Sequence, residues 1–158
     1  MKEGEDKECC PKFSRKLWDN KTVVWKKKAF VKAKYLSPFG ISLNAGSVVK
    51  KNMAAIEDNK DEAKNFVILT DDKSLFTKNV YFSVKKPVAG VNDVRISGTF
   101  LTKVFEGPNK DLKKWKKEME EYVKSKGKEI KQMLYYYSTC PGCEKKDAKN
   151  YVVIFAEI

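Results

Sequence analysis

Set against itself at an offset of 70 residues, the chain pairs Phe30 with Phe100, Tyr35 with Phe105, Pro38 with Pro108, Val49 with Met119, Met53 with Val123 and Tyr81 with Tyr151. The matches are mostly apolar and fall in order, without an insertion, inside stretches of the same predicted type. An internal duplication leaves such a trace. It constrains the fold strongly, because two similar units must then build one domain around a shared core.

Each unit reads as strand, helix, strand, strand. Thr22 to about Tyr35 is rich in Val, Trp and Phe and predicts a strand, interrupted by Lys26-Lys27-Lys28 and closed by Pro38 and Gly40. Val48, Val49, Met53 and Ile56 recur at helical spacing over residues 44–58, with Asn44 as the N-cap. Phe66–Leu69 and Val80–Val84 predict two short strands around the turn residues Asp71 to Ser74. In the second unit, Val94–Phe105 is a long strand and Glu106-Gly107-Pro108-Asn109 a turn. Leu112, Trp115, Met119, Tyr122 and Val123 then mark one face of a helix that stops at Gly127. Met133–Ser138 and Tyr151–Glu157 are the closing strands.

The fold class is therefore α+β: duplicated strand-helix-strand-strand units sharing one antiparallel sheet, with two helices on one face and the other face left open. Alternation in the last strand fits this plan. Val152, Ile154, Ala156 and Ile158 form a row for the helices, while Tyr151, Val153, Phe155 and Glu157 point the other way. The expected organisation is a polar, disordered tail at 1–8 and a single domain at 9–158. Within the domain, a loop at 9–21 precedes repeat units of about 22–86 and 92–158.

A length of 158 residues suffices for a core that needs no covalent staples. No apolar run reaches the ~20 residues of a membrane helix, and Met1 to Glu8 has no apolar stretch of a signal peptide, so a cytoplasmic protein is expected. The formal charge of +12 raises the question of nucleic acid. Of the 33 basic residues, however, only Arg15 and Arg95 carry the guanidinium fork that base and phosphate recognition favours. The lysines are scattered, and many have a carboxylate within one helical turn. Nucleic acid is thus an unlikely partner, a membrane is none, and a homodimer is left open. With no histidine, His-dependent triads and His-ligated metals are excluded, and neither a GxxxxGK[ST] nor a GxGxxG phosphate loop occurs.

Three sets of residues could carry chemistry. Cys9, Cys10, Cys140 and Cys143 form two tight pairs. The Cys140-Pro141-Gly142-Cys143 knuckle is a good half-site for structural zinc, while vicinal Cys9 and Cys10 are a weaker half; a dithiol redox pair and plain reduced cysteines stay open. The second set is aromatic: Tyr135 and Tyr137 on one strand, with Tyr81, Tyr151 and Phe155 on its neighbours. These rings serve either a ligand groove or core packing. The third set is acidic. Glu157 lies among apolar neighbours and Glu106 in the turn before the second helix; either could act as general acid/base, and a solvated strand end is the competing reading for Glu157. Trp115, in helical phase with Leu112 and Met119, is assigned to the core.

Gly98-Thr99-Phe100, Phe105-Glu106-Gly107-Pro108, Trp115, Gly127 and the tyrosine-rich closing strands resemble the small-residue strand, "EGP" turn, helix Trp and terminal strands of the GyrI-like small-molecule-binding domain. The likeness covers residues 22–158. Cys9-Cys10-Pro11 with Cys140-Pro141-Gly142-Cys143 is similar to a stand-alone subgroup often labelled as hydrolases. The resemblance implies a small organic ligand; on the helix-free face, an aromatic-walled groove of Tyr81, Tyr135, Tyr137, Tyr151 and Phe155 with one carboxylate, Glu157, suits an aromatic or cationic one. The alternative is hydrolysis of a reactive small molecule with Glu157 or Glu106 as acid/base.

Overall fold

The computed structural model describes residues 15–38, 43–57, 59, 66–71, 74, 76–86, 92–137 and 151–158. A short helix, α1 (Arg15–Trp18), leads into the long strand β1 (Lys21–Leu36). There follow α2 (Ala45–Ala55), β2 (Ile68–Thr70), β3 (Thr77–Ser83), β4 (Asp93–Glu106), a 3-10 turn at Asn109–Asp111, α3 (Leu112–Ser125), β5 (Gln132–Tyr137) and β6 (Tyr151–Glu157). Strand, helix, strand, strand thus occurs twice. Helix α1 is an addition to the expected elements, since one turn is too short to show a period.

The six strands form one antiparallel sheet in the order β1-β3-β2-β5-β6-β4, and β4 pairs with β1 to close a barrel. The open sheet with an exposed face is thereby corrected: the face away from the helices curls upon itself and becomes the barrel interior. The cause is the length of β1 and β4. β1 pairs through Lys21–Val31 with β4 and through Phe30–Leu36 with β3; β4 gives Asp93–Thr102 to β1 and Phe100–Glu106 to β6. A strand serving two neighbours over successive stretches must coil, and coiling in a twisted sheet brings its edges together. The lysine run marks the bend. Register shifts between Trp25 and Lys28, Lys27 has a φ of 52°, and its N–H donates to Ser97 Oγ at 2.8 Å. This is a β-bulge, which bends a strand and increases its twist.

Helices α2 and α3 lie on the outward side of the sheet, as the alternation predicts. Val49 and Ile56 of α2 join Ala29, Val31, Ile68 and Phe82. Trp115, Met119 and Val123 of α3 join Phe105, Tyr135 and Ile154. The inward residues make a separate cluster that includes Phe30, Leu69, Phe100, Leu134, Tyr136 and Phe155. Gly127 ends α3 with a φ of 73°, and the N–H of Lys128 donates back to Val123 O at 3.3 Å. Asn44 does not cap α2 through its side chain; its Oδ1 accepts the Leu36 N–H at 2.7 Å and ties the helix start to the end of β1.

The offset pairs occupy comparable places, with Phe30 and Phe100 inside and Val49 and Met119 under the helices. Pairing registers nevertheless show that the offset is not constant. Phe30 stands opposite Ser83 and Phe100 opposite Glu157, so Ser83 and Glu157 are equivalent by register though 74 residues apart. By the same reading Ile68, opposite Phe82, corresponds to Met133, opposite Ala156, only 65 residues on. The halves therefore differ in the lengths of their connections, and the expectation of a match without insertion does not hold beyond the helices.

Candidate active site at one mouth of the barrel

Glu157 ends the inward row of β6, beside Phe100 on β4 and Gln132 on β5. The Gln132 Nε2–H donates to Glu157 Oε1 at 2.8 Å, and the backbone N–H of Lys131 donates to Glu157 O at 2.7 Å. These bonds hold a partly buried carboxylate at a strand end that would otherwise fray. The second carboxylate oxygen lies over Gly98: a Cβ there would stand 2.9 Å from Oε2. With a φ of 155°, Gly98 also has a backbone that other residues rarely adopt. Across the β1–β4 ladder Gly98 pairs with Trp25. The Trp25 ring stacks on Phe155, with centroids 5.6 Å apart at 21°, and lies 5.0 Å from Phe100 and 5.3 Å from Phe30. A carboxylate with one oxygen bound by an amide thus stands at the edge of an aromatic wall whose outermost ring, Trp25, is only partly buried.

The halves of the barrel differ at this point. The positions equivalent by register to Glu157 and Gln132 are Ser83 and Val67, where the buried Ser83 Oγ accepts the Val67 N–H at 2.9 Å. The pairing of Glu157 with Gln132 thus has no counterpart at the register-equivalent positions Ser83 and Val67.

The structure separates the other residues singled out in the sequence. Phe155 is inward and fully buried, and Tyr151 is inward at the opposite end of β6, where it partners Glu106. The guanidinium of Arg15 stands 6.0 Å from the Tyr151 ring centroid and 3.6 Å from the Glu106 carboxylate. Glu106 and Glu157 lie six strand positions apart along the same ladder, roughly 20 Å, so they cannot share one reacting centre. Tyr135 and Tyr137 project outward toward α3, their rings 6.4 Å apart, because Leu134 and Tyr136 hold the inward phase of β5. Burial raises the pKa of the inward Tyr136 hydroxyl. Tyr81 also faces inward; burial first, and the neighbouring Asp71 carboxylate second, raise its pKa. Asp71 itself is buried and accepts the N–H of Asn79 at 3.2 Å and its Nδ2–H at 2.9 Å.

Cys9, Cys10, Cys140 and Cys143 lie outside the described residues, and with them the proposed zinc site. Among the described residues no group of three or more His, Cys, Asp or Glu is placed to hold a metal, and no helix is long and apolar enough to cross a membrane. Trp115 is core, stacked on Phe105 with centroids 5.7 Å apart. Gly107 of the Glu106-Gly107-Pro108 turn leaves room for it, since a Cβ there would meet Trp115 at 3.2 Å. Those motif residues serve packing. Gln132, Gly98 and Trp25 join the candidate site only in the structure and were not singled out for it in the sequence; only Gly98, a glycine inside a strand, carried a local signal.

Fold and candidate site together define an α+β barrel with an aromatic interior and the Glu157–Gln132 carboxylate-amide pair at one mouth. A family model described as "Bacterial hydrolase" matches residues 1–158, and the chain belongs to that family. No curated protein is matched.

Proposed function

We propose that the protein hydrolyses a reactive small organic molecule at the mouth formed by Glu157, Gln132, Gly98 and Trp25. The observation that carries this reading is the Glu157 carboxylate, fixed by Gln132 through one oxygen and set beside a partly exposed indole. In the proposed reaction Glu157 Oε2 takes a proton from water as the water oxygen bonds to the electrophilic carbon. The bond from that carbon to its leaving group breaks, and the proton passes from the carboxylic acid to the departing atom. Trp25 gives the substrate an apolar surface, and the single orientation of the carboxylate provides positioning. The family match supports hydrolysis over simple binding. Descent of the two halves from one GyrI-like unit is part of the same reading, supported by the repeated order of elements and their mirrored order in the sheet.

Binding without turnover is the second reading, favoured by the aromatic wall. An activated ester such as p-nitrophenyl acetate, followed by absorbance, separates the two. Glu157→Gln is expected to lower the enzymatic rate by about 10²–10⁴-fold, as loss of a general base does, with an unchanged melting profile. Equal rates above buffer for wild type and Glu157→Gln would remove Glu157 from the chemistry, and no rate above buffer for either would leave only the binder.

A further inference from the structure

The barrel end opposite Glu157 is stoppered by the chain's own indole. Trp18 belongs to no strand, yet its ring lies 5.3 Å from Phe155 and, edge-on, 6.4 Å from Tyr136, joining the interior cluster while staying partly exposed. The segment that delivers it is weakly built. Helix α1 is one turn long and buries none of its residues, and Leu17 is 42% exposed. A helix of this length has no stability of its own. The tethers are polar: Thr102 Oγ1 donates to Trp18 O, Asp19 Oδ1 accepts the Val104 N–H at 3.1 Å, and Arg15 reaches Asp19 at 3.7 Å and Glu106 at 3.6 Å. Arg15 is half exposed in both ion pairs, with Asp19 at 29% and Glu106 at 41%, so water screens them and their contributions are marginal. Asn20, with a φ of 55°, turns the chain from this segment into β1, in a conformation that Asn tolerates better than most residues.

Trp18 is thus a lightly tethered ring seated against Phe155 and Tyr136, with a turn behind it. We infer that Trp18 is a displaceable plug, and that the recess against Phe155 and Tyr136 takes a flat, uncharged aromatic group of about indole size when α1 lifts away. The site is distinct from the Glu157 mouth, and its test reads binding, so it stands or falls apart from hydrolysis. Because Phe155 touches both Trp18 and Trp25, an occupant there also contacts the ring that backs the proposed active site.

Indole is the probe, titrated by calorimetry into wild type, Arg15→Gln, Trp18→Ala and the double variant. If plug and ligand compete, loosening the tether raises indole affinity, so Arg15→Gln binds about 2- to 5-fold more tightly than wild type, as expected from losing the two weak ion pairs of Arg15. Trp18→Ala binds most tightly, and adding Arg15→Gln to it changes nothing. Hydrogen exchange at residues 16–20 of the wild type speeds up when indole binds. A merely structural tryptophan predicts binding to Trp18→Ala alone, with no response to Arg15→Gln; that pattern overturns the plug. So does slower exchange at residues 16–20 with indole present. Should Trp18→Ala fail to fold, the comparison of wild type with Arg15→Gln still decides.

Discussion

Gly98 joins backbone conformation to chemistry. Its φ of 155° and the 2.9 Å that a Cβ would leave to Glu157 Oε2 make the position intolerant for two separate reasons. Gly98→Ala should cost about 1–3 kcal/mol of stability from the backbone alone. It should also push the carboxylate off its bond to Gln132, and so depress turnover more than the melting shift explains. Thermal melts and ester turnover on the same sample check this; a variant destabilised but fully active would show that the Glu157 orientation does not matter. Tyr136 gives a pH prediction. Burial raises its hydroxyl pKa above the ordinary value of 10.0, so the folded state holds the proton more tightly than the unfolded chain does. The stabilisation is fully present below pH 10 and is lost as pH rises beyond it. Melting temperatures from pH 8 to 11 should therefore fall more steeply for wild type than for Tyr136→Phe. Parallel curves would mean that Tyr136 ionises as readily in the fold as out of it.

Helix α3 and strand β6 were legible because their periods are clean. The apolar residues of α3 recur on one face, and the alternation of β6 assigned Val152, Ile154 and Ala156 to the helix side and Phe155 and Glu157 to the other, as the structure has them. Tyr135 to Tyr137 shows where that logic stops: three like residues in a row reveal two faces but not which face is which, and the phase was set by Leu134 facing inward. Closure of the barrel was not legible either, since it depends on β1 and β4 each serving two neighbours around a bulge. Gln132 gave no signal because its role exists only through pairing with Glu157 across the β5–β6 ladder. Trp115 is the anchor of α3, 5% exposed and stacked on Phe105. Trp115→Ala should cost about 3–5 kcal/mol, the usual penalty for emptying a buried aromatic site. Chemical denaturation measures this, and a loss below about 1 kcal/mol would show that α3 is held chiefly by Met119 and Val123.

For the molecule as a whole, the two seams decide whether either half can exist alone. The first half contributes β1-β3-β2 and the second β5-β6-β4, joined by the β1–β4 ladder and by the short β2–β5 ladder. Cutting the chain between β3 and β4 leaves each half a three-stranded sheet with both edges bare and its inward aromatic face uncovered. Phe30 would lose the barrel interior it shares with Phe100 and Phe155, and such edges and faces favour association between chains. A fragment of residues 1–86 and one of 92–158, expressed separately, should each be unfolded or aggregated by circular dichroism and gel filtration. Mixed from denaturant, they should recover the barrel, because each fragment holds both partners of its own internal ladders and only the two seams must form between chains. The β1–β4 seam is the longer, so Val23→Pro, which removes a backbone donor within the paired stretch of β1, should prevent reassembly. If the first fragment folds alone as a monomer, the barrel is two stable domains side by side, and closure contributes shape without stability.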